Sequence, residues 1–348
     1  MKMKAWQIEK KNISVFDLVG DLPLLKKQSE TAWLSDVPAQ SLQKSLANLD
    51  KAYLNFFRTK RGFPKFKSKH DLVQSVQYPQ GINKTDWKSG KVNLPKIGRI
   101  LVVLDRQFSG AVKTCTVSKT STGKYFISIL VDDEVTPLPL LPIEESSTVG
   151  IDLGLTHFAI FSSGKKIDNP RFLKQSLKKL ASAQRKLSKK QKGSKRRNKQ
   201  RLVIAKLHEK VTNQRKDFLH KVSTRIIREN QTVALETLNV KGMVQNRKLA
   251  RSISDVSWSE FVSMLVYKAE WSGKNVLRIG MFEPSSRLCT CGKVNSKLSL
   301  ADRMWTCGAC GTTHDRDILA ANNIKRMALH PQSLIHQPDF DTVGHTGI

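Results

Sequence analysis

The hydrophobic period changes along this chain, and the changes divide it. Leu42, Leu46, Leu49, Tyr53, Leu54 and Phe57 recur at helical spacing. From Val73 the period falls to that of strands. Val73–Tyr78, Lys91–Leu94, Ile100–Leu104, Val112–Ser118 and Tyr125–Val131 lie between Gly, Pro, Asn and Ser turns and predict a small β-barrel. Pro137, Pro139 and Pro142 mark a linker. Near Thr148 a second domain begins, with two apolar strands, Val149–Leu153 and His157–Phe161, a buried strand, Thr232–Leu235, and another strand, Asn275–Ile279. Helical stretches separate them: a long basic region, Pro170–Asn230, then Trp258–Gly273 and finally Asp317–Leu329. The expected class is therefore α/β and β together. Residues 1–36 look helical and short of a core, and the chain from His330 onward reads as a disordered tail.

Charge decides the partner class. Lys and Arg number 60 against 29 Asp and Glu, a net charge of +31. Such a surface attracts polyanions and gains free energy by releasing their counterions. An anionic membrane would also attract it, but no apolar run approaches the roughly 18 residues of a spanning helix. Met1-Lys2-Met3-Lys4-Ala5-Trp6 is not followed by the apolar core of a signal peptide. Nucleic acid is the expected partner and a membrane is not. Of the five cysteines, Cys115 stands alone while Cys289, Cys291, Cys307 and Cys310 cluster. An odd, clustered set indicates metal binding in a reducing cytoplasm, not a disulfide frame.

Three acids stand where a nuclease would need them. Asp152 lies within an apolar strand and Glu236 ends another; Asp317 opens the last helix after His314-Asp315-Arg316. An acid at the end of a buried strand is costly unless it is paired or holds a cation. Three that converge would bind Mg²⁺ through hard oxygens and could activate water against a phosphodiester. Taken singly, each also reads as a strand-end or helix-cap acid, and Asp315 competes with Asp317 for the role.

The cysteines form C-x-C-x15-C-x-x-C, with Gly292 and Gly311 after the two pairs. That gap suits a zinc ribbon with tetrahedral thiolates. The first pair is one residue short of ideal knuckle spacing, and His314 is a candidate substitute ligand. The alternative is a degenerate ribbon held by the packing of Trp305 and Leu298.

Two segments carry the basic character. Arg171–Arg201 contains no acid and holds Phe172, Leu173, Leu177, Leu180 and Leu187 at near-helical spacing. It reads as an amphipathic helix whose Lys189, Lys190, Arg196 and Arg197 face phosphate, rather than as a merely solvated charge run. The strip Phe56–Lys67 interleaves aromatics with cations, a pattern that stacks bases and neutralises phosphates. Lys60, Arg61, Lys65 and Lys67 are its candidate nucleic-acid contacts. Phe56, Phe57, Phe63 and Phe66 read equally as core anchors, and Phe57 is assigned to the core.

These pieces resemble one family. Val149-Gly150-Ile151-Asp152-Leu153-Gly154-Leu155 is similar to the first RuvC motif of TnpB proteins. Thr232–Met243 resembles their second motif. Cys307-Gly308-Ala309-Cys310-Gly311, running on to His314-Asp315-Arg316-Asp317, resembles the end of their zinc ribbon leading into the third. Asn213–His220, Ser252–Asp255, Lys268–Trp271, Pro284–Arg287 and Gly62–Phe66 fit as well. The likeness runs from about Phe16 to Asn323.

The resemblance implies a transposon-encoded, RNA-guided DNA endonuclease related to type V CRISPR effectors. It implies a shortened helical recognition lobe over 1–70 and a wedge β-barrel over 71–143. An RNase H-like RuvC domain follows over 147–284, with a basic helical insertion at 170–230. A zinc ribbon over 285–314 and a last RuvC helix over 315–329 precede the tail at 330–348. It chooses Asp152, Glu236 and Asp317 as the catalytic acids that hold Mg²⁺ or Mn²⁺, and Cys289, Cys291, Cys307 and Cys310 as zinc ligands. Its implied partners are a guide RNA from the transposon end and double-stranded DNA, in a prokaryotic cytoplasm at the nucleoid.

Three departures from the family pattern stand out. The family has a further strand and helix before the point matched by Met1, its first cysteine pair is C-x-x-C, and Asn usually stands at the position of Leu319. These features keep two other readings open: a guided DNA-binding repressor that does not cut, and a decayed transposase-associated protein.

Overall fold

The computed structural model describes residues 13–59, 62–68, 71, 74–80, 82, 86–87, 89–299 and 301–331. Two compact units divide between Val135 and Thr136. Lys60, Arg61 and Val73 lie outside the described residues, as does the expected tail from 332 on.

The first unit opens with short helices. Ser14 and Asp17 cap α1 (Val15–Gly20) reciprocally, side chain to backbone, and α2 (Leu22–Lys27) follows with a proline in its first turn. A 3-10 helix, Ser29–Asp36, leads into α3 (Ala39–Thr59). The strands come next: β1 (Gln74–Tyr78), β2 (Lys91–Leu94), β3 (Gly98–Leu101), β4 (Ala111–Lys119) and β5 (Tyr125–Asp132). They pair as an antiparallel sheet β1-β4-β5 and a separate hairpin β2-β3. Tyr78, Ile82, Val92, Leu94 and Cys115 join the two in one core. Among the described residues no hydrogen-bonded ladder closes these strands into a cylinder. Burial raises the Cys115 thiol to about 11, so this cysteine behaves as a small apolar side chain.

Phe57 corrects the sequence reading. It is 64% exposed and Phe66 is 97% exposed, so neither anchors a core. Phe56 and Phe63 instead pack edge to face at 5.4 Å, and Tyr53 meets Phe63 at 5.8 Å. Among the described rings Phe57 meets only that of Phe56, edge to face at 5.1 Å, and its outer side stays exposed.

The second unit is a layered α/β structure. Its strands are β6 (Thr148–Asp152), β7 (His157–Phe161), β8 (Lys166–Asp168), β9 (Thr232–Glu236) and β10 (Asn275–Ile279). They form one sheet in the order β10-β9-β6-β7-β8. β6, β7 and β8 run antiparallel, while β9 and β10 join parallel to β6. Parallel neighbours need long crossovers, and helices supply them. Between β8 and β9 run α4 (Phe172–Ser188) and the 35-residue α5 (Lys195–Glu229). Between β9 and β10 run α6 (Val240–Met243), α7 (Ala250–Val256) and α8 (Trp258–Trp271). After β10 a small hairpin, β11 (Met304–Thr306) and β12 (Thr313–Asp315), leads straight into α9 (Arg316–Leu329).

Alternation along the strands assigns the two faces. Val149, Ile151, Val233 and Leu235 face the main core with Leu219 and Ile226 of α5 and Phe261 and Leu265 of α8. Ala234 points the other way, against Ile324 and Met327 of α9. Gly150 shares that second face. A Cβ there would lie 2.0 Å from the carbonyl oxygen of Ala321, so α9 approaches β6 as closely as backbone allows. Gly150→Ala must push the helix off the sheet. We expect it to cost about 3 kcal/mol or more and to lower the calorimetric midpoint by roughly 10 °C. An unchanged midpoint would show that α9 does not rest on β6 in this way.

Among the described residues no helix is long and apolar enough to cross a membrane.

Candidate active site and metal centre

The strand register brings two acids together. Ile151 pairs with Leu235 in the parallel ladder, and one step on Asp152 comes alongside Glu236. Because Ile151 and Leu235 face the main core, the acids that follow them turn to the opposite face, under the start of α9. Asp317 sits in the first turn of that helix. Packing therefore gathers three acids, two from strand ends and one from a helix start.

The electrostatics are those of an acid cluster. Burial first, and then the charges of Glu236 and Asp317, raise Asp152 to about 7. Arg316 and the Leu153 N–H oppose this only in part. Burial also raises Glu236. Arg303 meets Asp317, with its Nη1 3.2 and 3.3 Å from the two carboxylate oxygens. The acids are thus near enough to feel one another while one of them leans on a guanidinium. Their carboxylate oxygens, at the carboxyl ends of two central strands and the start of α9, are not all within 4.8 Å of one another, but hard oxygens that repel one another are the donor type a divalent cation takes.

Asp315, the competing acid, is otherwise engaged. It caps α9 by accepting from the N–H groups of Asp317 and Ile318, and Lys166 reaches it at 2.9 Å. Burial pushes Asp315 up, but the Lys166 ammonium and the Ile318 N–H hold it below the usual carboxylate range. Lys166 and Arg303 were not found from the sequence. Nothing local marks them, since each meets its acid through the fold.

The cysteines form a second cluster. One ligand atom from each of Cys289, Cys291, Cys307 and Cys310 lies within 4.8 Å of all the others, the one such group among the described residues. Cys289 Sγ is 3.5 Å from Cys310 Sγ, and Cys291 Sγ is 3.7 Å from Cys307 Sγ. Thiolates at about 2.3 Å from a tetrahedral zinc stand about 3.8 Å apart, so four cysteines at this spacing can hold one metal ion. The short C-x-C pair still reaches. His314 is not needed as a substitute: its Nε2 lies 3.1 Å from Cys289 Sγ, within hydrogen-bonding distance, and its ring lies against Trp305. The knuckle pair is prepared for the thiolate form. Thr312 holds Cys310 down to about 6, and the N–H groups of Cys310 and Ala309 lower Cys307. Cys291 is pushed up to about 11; the Lys293 N–H pulls it down, but the Cys289 and Cys310 thiols push harder. Four thiols this close cannot all ionise without a cation.

Leu319 now has a reason. It is buried with Cys289, Leu298, Trp305 and Cys307, and so ties the cysteine hairpin to α9. Asn323, one turn further, donates to the carbonyls of Ser285 and Leu288 at 2.7 and 2.6 Å. An apolar side chain at 319 thus packs the ribbon, while an amide at 323 fixes the loop that enters it.

Of the predicted basic contacts, Lys65, Lys67, Lys189 and Arg196 are exposed and Lys190 is half-buried. Arg197 is different: its Nη1 donates to the carbonyls of Leu187 and Lys190, joining the end of α4 to the start of α5.

Comparisons with known proteins place the chain in a family. Residues 128–247 match a family model described as "Probable transposase", and residues 258–324 match one described as "Cas12f1-like, TNB domain". A protein of Streptomyces pristinaespiralis named "Putative RNA-guided DNA endonuclease" is 41% identical over 330 residues, 93% of this chain and 80% of its own length. The chain belongs to the TnpB-like family of RNA-guided DNA endonucleases. Another relative, InsQ of Escherichia coli K12, carries the same description and is 36% identical over 338 residues, 93% of this chain and 79% of InsQ. The fold is also that of a solved Cas12f1–sgRNA–target DNA complex, with a TM-score of 0.53 at 15% identity over 93% of this chain and 78% of that one. In this TnpB-like chain the first matched region carries Asp152 and Glu236 and the second carries Asp317.

Proposed function

We propose that this protein is a transposon-associated RNA-guided endonuclease that cuts DNA at Asp152, Glu236 and Asp317. What supports the reading is the mutual influence of these acids: Asp152 is raised to about 7 by burial and then by the charges of Glu236 and Asp317. On this reading the sheet and its helices are an RNase H-like RuvC domain, the cysteine hairpin is a zinc ribbon, and the β-rich part of the first unit is the wedge barrel. Bound Mg²⁺ or Mn²⁺ would supply charge to activate water and to stabilise the leaving oxygen. The chain's own residues prepare that site. β6 and β9 place two carboxylates side by side, α9 supplies the third, and Asp315 and Lys166 hold the helix start in position. Zinc in the cysteine cluster would fix the hairpin from which Arg303 reaches Asp317.

The partners on this reading are a guide RNA and a double-stranded DNA target. Lys65 and Lys67, together with Lys60 and Arg61, would contact nucleic acid in the first unit, and the turn joining α4 to α5 in the second. The decisive experiment uses protein purified with its RNA, a matching DNA duplex and Mg²⁺. Cleavage is the expected result, while target binding without cutting would transfer the reading to a guided DNA-binding repressor.

RNA binding should fall steeply as salt rises. Replacing Lys189, Lys190 and Arg196 together by Ala is expected to flatten the log–log salt slope by about 0.7 to 0.9 per lost contact. An unchanged slope would mean that this turn does not touch phosphate. Arg197→Ala should chiefly lower the thermal midpoint, because its guanidinium bonds two helix-end carbonyls.

A further inference from the structure

Turns leaving the carboxyl ends of β6 and β8, together with α4 and α7, enclose a cavity of about 390 Å³. That size is typical of a site for a small ligand. Arg171, Lys174 and Arg251 line it, and all three are exposed. Among the described residues none of the three takes part in an ion pair. Asp255 is the one acid on the wall, and it is already engaged. It accepts from the Leu173 N–H at 3.1 Å and pairs with Arg215 at 2.9 Å. An anion entering the cavity therefore meets three uncommitted cations and a neutralised carboxylate. Leu155, Leu177 and Leu249 make an aliphatic wall beside them.

The rim is built rather than loose. Asn169 donates from Nδ2 to the Leu155 carbonyl at 2.9 Å and accepts from the Arg171 N–H at 3.1 Å, so it ties the two strand-end turns together. Arg171 is held at φ 52°, a left-handed conformation that a residue with a Cβ seldom adopts. Strain of this kind persists where the surroundings impose it, and it gathers at ligand sites. The cavity wall is joined to the acids through the chain: Leu155 follows Asp152 by three residues, a backbone reach of about 11 Å at most, though it lies on the main-core side of the sheet. A bare phosphate needs no aliphatic wall, and an apolar ligand needs no cations. A nucleotide uses both.

We infer that this cavity takes one nucleotide of the single DNA strand presented for cutting, its base against the leucines and its phosphate on Arg171, Lys174 and Arg251. The inference rests on the endonuclease reading and adds to it the site that seats the strand.

The test uses full-length protein with its co-purified RNA, made non-cutting by Asp152→Asn, and a fluorescent single-stranded DNA oligonucleotide. Ser252→Trp plugs the cavity from the exposed face of α7 without changing charge. It should weaken oligonucleotide binding at least tenfold while RNA retention and the thermal midpoint stay unchanged. Arg251→Ala should reduce the salt slope of oligonucleotide binding by about 0.7, the value for one phosphate contact on a single strand. With Asp152 restored, Ser252→Trp should raise KM for single-stranded DNA more than it lowers kcat. Oligonucleotide affinity unchanged in both variants would overturn the inference, and so would loss of the RNA in place of the DNA. If the tryptophan lowers the thermal midpoint, the salt slope of Arg251→Ala decides alone. Wild-type protein that never cuts DNA would sink the endonuclease reading. Wild-type protein that cuts, with variants that bind and cut equally well, would sink the cavity alone.

Discussion

Asp152→Asn is expected to abolish DNA cleavage and, in Mg²⁺-free buffer at pH 8, to raise the thermal midpoint. Both effects come from one carboxylate. Burial and the charges of Glu236 and Asp317 lift Asp152 to about 7 in the folded protein. In the unfolded chain an aspartate titrates near 3.9. Between these values the folded state binds more protons than the unfolded one, so stability falls as pH rises through the interval. Above pH 7 the whole penalty is present, on the order of 4 kcal/mol without a cation. Below pH 4 it is absent. The asparagine variant carries no such charge, so its advantage should appear between pH 4 and 7 and reach a plateau above. Mg²⁺ should close the gap by stabilising the wild type and not the variant. Cleavage should drop by about a thousandfold or more, because several kcal/mol of transition-state stabilisation are lost. Calorimetry across pH, without chelator, reads the first effect and a DNA cleavage assay reads the second. Equal midpoints at pH 8 would show that the acids do not repel one another, and residual cutting would remove Asp152 from the active site.

Loss of metal from the cysteine cluster should unfold the hairpin that carries it. Its apolar core is small: Leu298, Trp305 and Leu319 packed with Cys289 and Cys307. A core of that size cannot order a segment of this length, and structural zinc contributes on the order of 10 kcal/mol or more in such sites. Sulfur separations of 3.5 and 3.7 Å match a tetrahedral zinc–thiolate site. Metal analysis should give about one zinc per chain. A chelator or Cys307→Ser should release the zinc and expose Trp305, which reports by a red-shifted fluorescence absent from Trp305→Phe. Unfolding also frees Arg303 from Asp317 and uncovers Leu319 on α9, so cleavage should fail while RNA binding on the distant α4–α5 turn persists. Protein purified without chelator that holds no zinc, or a Cys307→Ser variant that keeps its fluorescence and midpoint, would sink this assignment.

Strand positions were legible in the sequence because apolar side chains there either alternate, as in Lys91–Leu94, or run on, as in His157–Phe161. Lys91–Leu94 and Asn275–Ile279 have the bounds expected of them, and the basic stretch Pro170–Asn230 is helical over most of its length. The acids were legible as misfits: a carboxylate closing a run such as Thr232–Leu235 is costly unless something compensates it. The four cysteines were legible because chelation depends on local spacing. Phe57 was misread because a helical period shows that a face is apolar, not whether anything covers it.

Other features belong to the tertiary structure alone. The sheet register sets Asp152 beside Glu236, and the fit of α9 against Gly150 brings Asp317 to them. That Asp315 caps α9 and meets Lys166, while Asp317 meets Arg303, is likewise set by the fold. Arg303 on Asp317, Asn169 across two turns and Asp255 beneath Leu173 are contacts between segments distant in the chain. Local composition encodes which residues are apolar, acidic or metal-binding, since those are properties of single side chains and short spacings. Which of them meet is decided by packing, because one step of register moves a side chain to the other face of the sheet.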